Sequence, residues 1–381
     1  MPNQSPRRRP SRVTASELPD LSLLDVPLGH PPLEECALVQ AAADLESALS
    51  TFSIAGRVVR IHPGPVVTTF EFQPEPGFRY QTILGLADDL SLALQNPSVR
   101  CARLLSRSVI GIEISNANVE RIRLRGIFES LGPREPSAAP SLVLGTAASG
   151  GPFTVRLDRV RNLLVAGGPS SGKSTMLAAM LASVLFRATP VDVRLALIDP
   201  TRLELSVFEG IQHLMAPVAR EPLAALDLLW RAVSWADDRH REYQGSPSAP
   251  LPTILVVIDE LADLMTRAPA RAEEAICALA QQGPSVGIHL VVATGHVSEN
   301  VLTALIKACL ASRLSFWQES KRDSRVVLDC SGAEQLLRRG DMLCLPHGTA
   351  WPVRLHGACV SEIEVARVAA FWRGQAGVDD R

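Results

Sequence analysis

The sequence predicts an α/β protein with a mostly parallel sheet built around a phosphate-binding loop and preceded by a small α+β domain. Three observations lead there. The apolar run Leu163-Leu164-Val165-Ala166 ends in Gly167-Gly168-Pro169-Ser170-Ser171-Gly172-Lys173-Ser174-Thr175, which fits G-x-x-x-x-G-K-[ST], and a helix-compatible run follows from Met176 to Phe186. Beyond it, strand-like runs at Val193–Asp199, Ile254–Ile258, Ile288–Thr294 and Ser312–Phe316 alternate with helix-like segments, which implies a parallel sheet covered on both faces. Upstream lies a shorter mixture of one-sided helices and strands.

Taken in order, the first thirty or so residues are rich in Pro, Ser and Arg, with Arg7, Arg8, Arg9 and Arg12, so residues 1–32 are expected to be a disordered basic tail. From Leu33 to Ser50 apolar residues recur at helical spacing. Val58, Val59 and Ile61, then Val66, Val67, Phe70 and Phe72, read as two strands joined by the turn His62-Pro63-Gly64-Pro65. A second helix is expected over Thr82 to Leu94, with strands at Val99 to Leu104 and Ser108 to Ile114. Arg100, Arg103, Arg107, Arg121, Arg123 and Arg125 make this half basic, read first as a solvated face or subunit contact. The Pro/Gly/Ser/Ala-rich stretch from Gly132 to Pro152 is the best boundary, although Leu142–Gly145 and Phe153–Leu157 can pair as a hairpin within it. The expected domains are therefore 33–135 and 136–381. In the second, Leu223 to Tyr243 reads as a helix, followed by a turn-rich break from Gln244 to Pro250.

Composition sets the outer bounds. At 381 residues the chain suits two or three domains at about 100–200 residues each. Hydrophobic residues at 46%, charged residues at 20% and a net charge of -2 describe an ordinary globular protein with no overall pull toward nucleic acid or membrane. Any basic binding surface must be local. Seven dispersed cysteines form no Cys-x-x-Cys pair and no metal-ligand spacing. No run of about eighteen apolar residues occurs, so a cytoplasmic protein with reduced thiols and no transmembrane segment is expected.

The loop carries the first piece of chemistry. Gly167 and Gly172 let the backbone curl with its N–H groups inward, and the following helix adds a favourable dipole for phosphate. Lys173 is expected to reach the β- and γ-phosphates, Ser174 to ligate magnesium, and the whole run Gly167–Thr175 to bind nucleotide. The second piece is Asp259-Glu260, two carboxylates delivered to a strand end by Ile254–Ile258. Asp259 suits a magnesium water shell, and Glu260 suits orientation of an attacking water. ATP and Mg2+ are the implied cofactors.

These motifs, with Leu197-Ile198-Asp199-Pro200, Leu203-Glu204-Leu205 and Asp259-Glu260-Leu261-Ala262-Asp263-Leu264-Met265, resemble the FtsK/SpoIIIE family of DNA translocases. The likeness continues through Gly287-Ile288-His289-Leu290, Ser320-Lys321-Arg322-Asp323-Ser324-Arg325, Gly332-Ala333-Glu334, Gly340-Asp341-Met342-Leu343 and Pro352–Ala358. His62–Val67 and Val109–Ile114 resemble that family's smaller α domain. The resemblance implies a RecA-like motor that assembles as a homo-hexameric ring around double-stranded DNA and moves it with ATP during chromosome segregation or cell division. By the same resemblance Arg313 matches an arginine finger offered to a neighbouring subunit, and Lys321, Arg325 and Arg354 fall in stretches like DNA-facing loops. Neither the membrane-spanning region nor the winged-helix domain of long family members is legible in these residues. Anchoring and orientation are therefore expected to need a partner or not to occur.

Departures accompany the matches. After Thr294 the family usually has Gln-Arg-Pro-Ser, where this chain has Gly295-His296-Val297-Ser298; Thr201 stands in place of a common lysine, Gln282-Gly283-Pro284-Ser285 replaces a stretch that is often basic, and Ser170 replaces a glycine. These changes bear on the coupling of hydrolysis to DNA movement more than on nucleotide binding. They leave two other expectations open: a DNA-bound ring with slow hydrolysis, and a motor acting on protein substrates, since relatives of the fold serve secretion.

Overall fold

The computed structural model describes residues 17–27, 34–96, 98–103, 109–132, 139–201, 204–244 and 251–375. A smaller unit opens with α1 (Glu35–Thr51), which buries Ala42, Leu45 and Leu49 at helical spacing. Its sheet is built from β1 (Gly56–Pro63), β2 (Val67–Pro74), β3 (Val99–Arg103) and β4 (Ile110–Ser115), antiparallel in the order β1-β2-β4-β3. The helix expected over Thr82 to Leu94 is two helices, α2 (Tyr80–Gly85) and α3 (Ala87–Ala93). Gly85, a poor helix former, closes the first, and Leu86 has left helical geometry with ψ 4°. Phe70, Phe72, Ile83, Leu90 and Ile112 close a core between this sheet and its helices.

The larger unit follows α4 (Leu124–Leu131). Its elements are β5 (Ser141–Ala147), β6 (Pro152–Arg156), α5 (Leu157–Val160), β7 (Asn162–Ala166), α6 (Lys173–Leu185), β8 (Val193–Ile198), α7 (Pro222–Gln244), β9 (Thr253–Ile258), α8 (Leu261–Arg267), α9 (Pro269–Gln282), β10 (Ile288–Thr294), α10 (Ala304–Cys309), β11 (Ser312–Phe316), α11 (Lys321–Leu328), β12 (Asp341–Leu345), β13 (Val353–Gly357) and α12 (Glu362–Gln375). The 9-stranded sheet runs β6-β5-β13-β12-β11-β7-β10-β9-β8. From β11 to β8 every neighbouring pair is parallel, and from β11 outward to β6 every pair is antiparallel. The hairpin expected before the loop is β5–β6.

Because side chains alternate along a strand, each buried strand feeds two cores. Along β7, Leu163 and Val165 face the core shared with α6 and α12, while Leu164 and Ala166 face the one built with α7, α8 and α9. That double burial is why these strands read as continuous apolar runs.

Packing draws the unit boundaries differently from composition. Part of the expected tail is structured: Leu21–Leu23 form a 3-10 turn capped by Asp20, and Leu24 is buried in the core beside α6. The Asp25 N–H donates to Glu364 at 2.8 Å, and its carboxylate pairs with Arg367 at 3.0 Å. Likewise α4, expected in the small domain, packs Leu124, Ile127 and Phe128 into the same core, with Phe128 and Phe186 ring centres 5.5 Å apart. Arg7, Arg8, Arg9, Arg12, Arg107 and Leu203 lie outside the described residues.

Candidate nucleotide site

Parallel strands place all their carboxyl ends on one edge, and this edge carries the candidate site. There β7 delivers Gly167, β9 delivers Asp259-Glu260, β10 delivers Gly295-His296, and β11 delivers Trp317-Gln318. A cavity of about 1200 Å³ opens over that edge, lined by Gly167–Met176, Glu260, Gly295, Gln318, Gly340 and Gly357, among others.

The loop's curl depends on two of its glycines. A side chain at Gly167 would come within 2.6 Å of Ser171 Oγ, and one at Gly172 within 2.6 Å of the Gly340 nitrogen, where φ is already +104°. Ser170, the residue replacing a family glycine, also sits at positive φ, 57°, which explains why glycine suits that position. Gly172 caps α6 without any side-chain hydrogen bond. The first-turn N–H groups, which a helix leaves without intrahelical acceptors, are therefore directed at the loop's mouth. The loop is fixed from outside: the Gly167 N–H donates to Thr294 O, the Gly168 N–H to Trp317 O, and the Gly340 N–H to Ser171 O at 2.8 Å.

Lys173 Nζ lies 2.9 Å from Asp259 Oδ1, so the two motifs meet although β10 separates β7 from β9. Asp259 is 2% exposed. Burial raises its pKa above the ordinary value, Lys173 opposes that rise, and Asp199 and Glu204 add to it. Glu260 holds an uncommon conformation, φ 66° and ψ 77°, at the cap of α8. Its carboxylate accepts from the Thr294 hydroxyl at 2.8 Å, from the Gly295 N–H at 2.8 Å and from the Ala262 N–H at 3.4 Å. A left-handed non-glycine residue costs on the order of 1–3 kcal/mol, and this hydrogen-bond set holds it in place. Sequence reading does not single out Thr294 as a partner of Glu260; adjacency of β9 and β10 was the missing signal.

The donor set fits a hard cation held mainly by phosphate oxygens. Ser174 supplies a hydroxyl and Asp259 a carboxylate, and among the described residues no cluster of three or more His, Cys, Asp or Glu forms a self-contained metal cage.

The remaining sequence candidates lie elsewhere. Arg313 is held within its own chain: it pairs with Asp329 and donates to the carbonyls of Leu310, Val327 and Lys307. Lys321, at the start of α11, pairs with Asp88 of the small unit at 3.2 Å, and Arg325 is exposed. Arg354 requires a correction. Its side chain is 0% exposed and clamped between Asp341 at 2.6 Å and Glu113 at 3.0 Å, so it offers no cation to DNA. Arg354 instead joins the two units, because Glu113 lies on β4 and also holds Arg100 at 3.1 Å. Burial would push the carboxyls of Glu113 and Asp341 up, but the guanidinium groups beside Glu113, and Arg354 with His356 beside Asp341, hold both below the usual range. Thr201, where a lysine was expected, donates to Asp199, whose other oxygen accepts from the Leu205 N–H.

A five-strand parallel half-sheet with a phosphate loop and an acidic pair at its carboxyl edge defines a RecA-like P-loop nucleotide-binding protein. Residues 18–116 match the FtsK alpha domain, and residues 134–244 and 242–299 match the FtsK/SpoIIIE family. The chain belongs to the FtsK/SpoIIIE family. It is 40% identical over 380 residues to a DNA translocase FtsK of Helicobacter pylori, covering 95% of this chain and 45% of that protein. The DNA translocase FtsK of Bacillus anthracis is 37% identical over 382 residues, covering 94% and 48%. The chain thus spans about half the length of the curated relatives it matches. Among solved structures, the pCW3 conjugation coupling protein TcpA with ATPγS superposes with TM-score 0.57 at 19% identity, over 85% of this chain and 96% of that one. The cytoplasmic domain of the Thermomonospora curvata type VII secretion ATPase EccC gives 0.53 at 22% identity, over 63% and 32%. At such identities these two speak for the fold. Among the described residues no helix is long and apolar enough to cross a membrane.

Proposed function

We propose that this chain is the motor portion of a cytoplasmic, ATP-driven double-stranded DNA translocase working as a homo-hexameric ring. The observation that carries the reading is the meeting at 2.9 Å of the buried Asp259 with Lys173, which lines the same cavity as Glu260. The loop N–H groups and Lys173 grip the triphosphate, while Ser174 and Asp259 hold Mg2+, which neutralises phosphate charge when bound. To reach phosphate, Lys173 exchanges its bond to Asp259 for one to the nucleotide, freeing that carboxylate. Glu260 orients the attacking water and accepts its proton, and the Thr294 hydroxyl and Gly295 N–H fix the carboxylate for that task. Grip on DNA comes from exposed cations such as Lys321 and Arg325 meeting phosphates, which reads no sequence. For Arg313 to serve a neighbouring subunit it must leave Asp329.

The test is ATP turnover with and without linear duplex DNA, beside Glu260→Gln and Lys173→Ala and with particle mass measured in a slowly hydrolysed ATP analogue. Wild type is expected to be stimulated by DNA and to reach the mass of a ring. Glu260→Gln should bind ATP yet lose about 100-fold or more of turnover, and Lys173→Ala should bind about 10- to 100-fold more weakly. Turnover that a polypeptide raises and DNA does not would assign the motor to protein substrates. Turnover equal in wild type and Glu260→Gln would remove that glutamate from the mechanism.

A further inference from the structure

Arg338 sits in the cavity for a reason that the loop and the acidic pair do not supply. Its guanidinium carbon lies 4.0 Å from the centre of the Trp317 ring, whereas the other arginine–ring pairs among the described residues are at 5.7–6.0 Å. Trp317 is itself part of the loop's housing. Its carbonyl accepts from the Gly168 N–H at 3.0 Å, and a side chain at Gly168 would meet the ring edge at 3.3 Å. One indole therefore carries the phosphate loop on its edge and a guanidinium on its face. Two residues further, the Gly340 N–H is bonded to Ser171 O, which pins the segment bearing Arg338 to the same loop.

The charge on Arg338 is otherwise uncommitted. Arg313 is paired with Asp329, and Arg354 with Asp341 and Glu113, but among the described residues Arg338 makes no ion pair, although Glu120, Glu319 and Asp323 also line the cavity. Stacking occupies only the face of a guanidinium. Its N–H donors lie in the plane and stay free for a forked contact with phosphate oxygens. Held over an indole, the group loses less freedom on making that contact than a solvated side chain does.

We propose that Arg338 contacts the phosphate chain of the bound nucleoside triphosphate within its own chain, with Trp317 as its positioning residue. The proposal rests on the nucleotide reading of the cavity. It adds Arg338 to Lys173 as a second phosphate cation from the same chain.

Calorimetric titration of ATPγS and of AMP into wild type, Arg338→Ala, Arg338→Lys, Trp317→Leu and Lys173→Ala tests it. Arg338→Ala is expected to weaken ATPγS by about 10- to 100-fold with AMP changed less than about 3-fold. Arg338→Lys should recover part of the loss, because a lysine restores the charge without the fork. Trp317→Leu should fall between wild type and Arg338→Ala. Unchanged ATPγS affinity in Arg338→Ala overturns the proposal, as does an equal loss for AMP, or a loss confined to duplex DNA binding. If Lys173→Ala loses ATPγS while Arg338→Ala keeps it, only this inference fails. If wild type takes up no ATPγS, the nucleotide reading fails first and the proposal with it.

Discussion

Replacing Arg354 by methionine removes the charge that joins the two units, and its cost follows from what is left behind. The guanidinium makes three contacts with carboxylates at 2.6–3.0 Å and one with Ser98 Oγ at 3.3 Å. Glu113 keeps Arg100 when Arg354 is lost. Asp341, 2% exposed at its side chain, keeps only His356 at 3.3 Å and the Leu337 N–H. One buried carboxylate is thus left poorly compensated, which costs about 3–5 kcal/mol. At about 2–4 °C per kcal/mol for a large domain, Tm should fall by roughly 6–20 °C at neutral pH. Differential scanning calorimetry with a circular dichroism melt reads this directly. The pH dependence gives the sign. In wild type both carboxyls have folded pKa values below the ordinary ones, so their stabilisation is present above about pH 4 and is lost as pH falls toward the folded values. In Arg354→Met, burial acts on Asp341 with less opposition and its folded pKa rises, so the penalty grows as pH climbs through about 4. The gap between wild type and variant should therefore narrow on acidification. Adding Asp341→Asn should recover much of the loss, since a neutral group can keep the Leu337 N–H. A single variant melting within about 2 °C of wild type, or a double variant whose losses simply add, would refute the reasoning.

Other expectations follow from single groups. Thr294→Val, which keeps shape but deletes the hydroxyl bound to Glu260, should lower turnover by about 10-fold with ATP affinity unchanged, read by steady-state kinetics beside a binding titration. His213 is buried edge-on against Trp372 at 4.4 Å, and burial pushes its pKa down to about 4. The unfolded chain binds that proton first, so stability should fall between about pH 6.5 and 4, by on the order of 3 kcal/mol in all. His213→Gln should flatten this slope in urea melts taken across the range.

The sheet was legible because its strands are buried on both faces: nothing but apolar residues suits Val256 or Val292, and the loop spacing announces itself without help from the fold. Boundaries were harder. Leu24 and Leu124 are ordinary apolar residues whose partners lie far along the chain, beside α6 and α12, so no local pattern assigns them to the larger unit. Arg354 misled for a related reason. Its likeness to the family's DNA-facing loops suggests a surface cation, and only the fold, in which Asp341 of β12 and Glu113 of β4 close on it, shows the charge turned inward. Glu260 is singled out in the sequence by its position after an apolar strand, but its hold on Thr294 and Gly295 needed β9 and β10 side by side.

That last contact falls at the position where the family resemblance leads to a glutamine and this chain has Gly295. The Gly295 N–H donates to Glu260 Oε2 at 2.8 Å, and a Cβ at this residue would stand only 3.1 Å from the same oxygen. Any larger residue would press on the carboxylate unless Glu260 shifted by a few tenths of an ångström. Glu260 is already confined by its left-handed backbone and by Thr294, itself fully buried. Glycine here is thus compatible with a tightly seated Glu260 carboxylate, and β10 is tied to the loop through the bond from the Gly167 N–H to Thr294 O. Thr294 thus has its carbonyl on the loop and its hydroxyl on the Glu260 carboxylate, so one residue touches both. Under the proposed function, a path from the loop to Glu260 runs through β10 by way of Thr294.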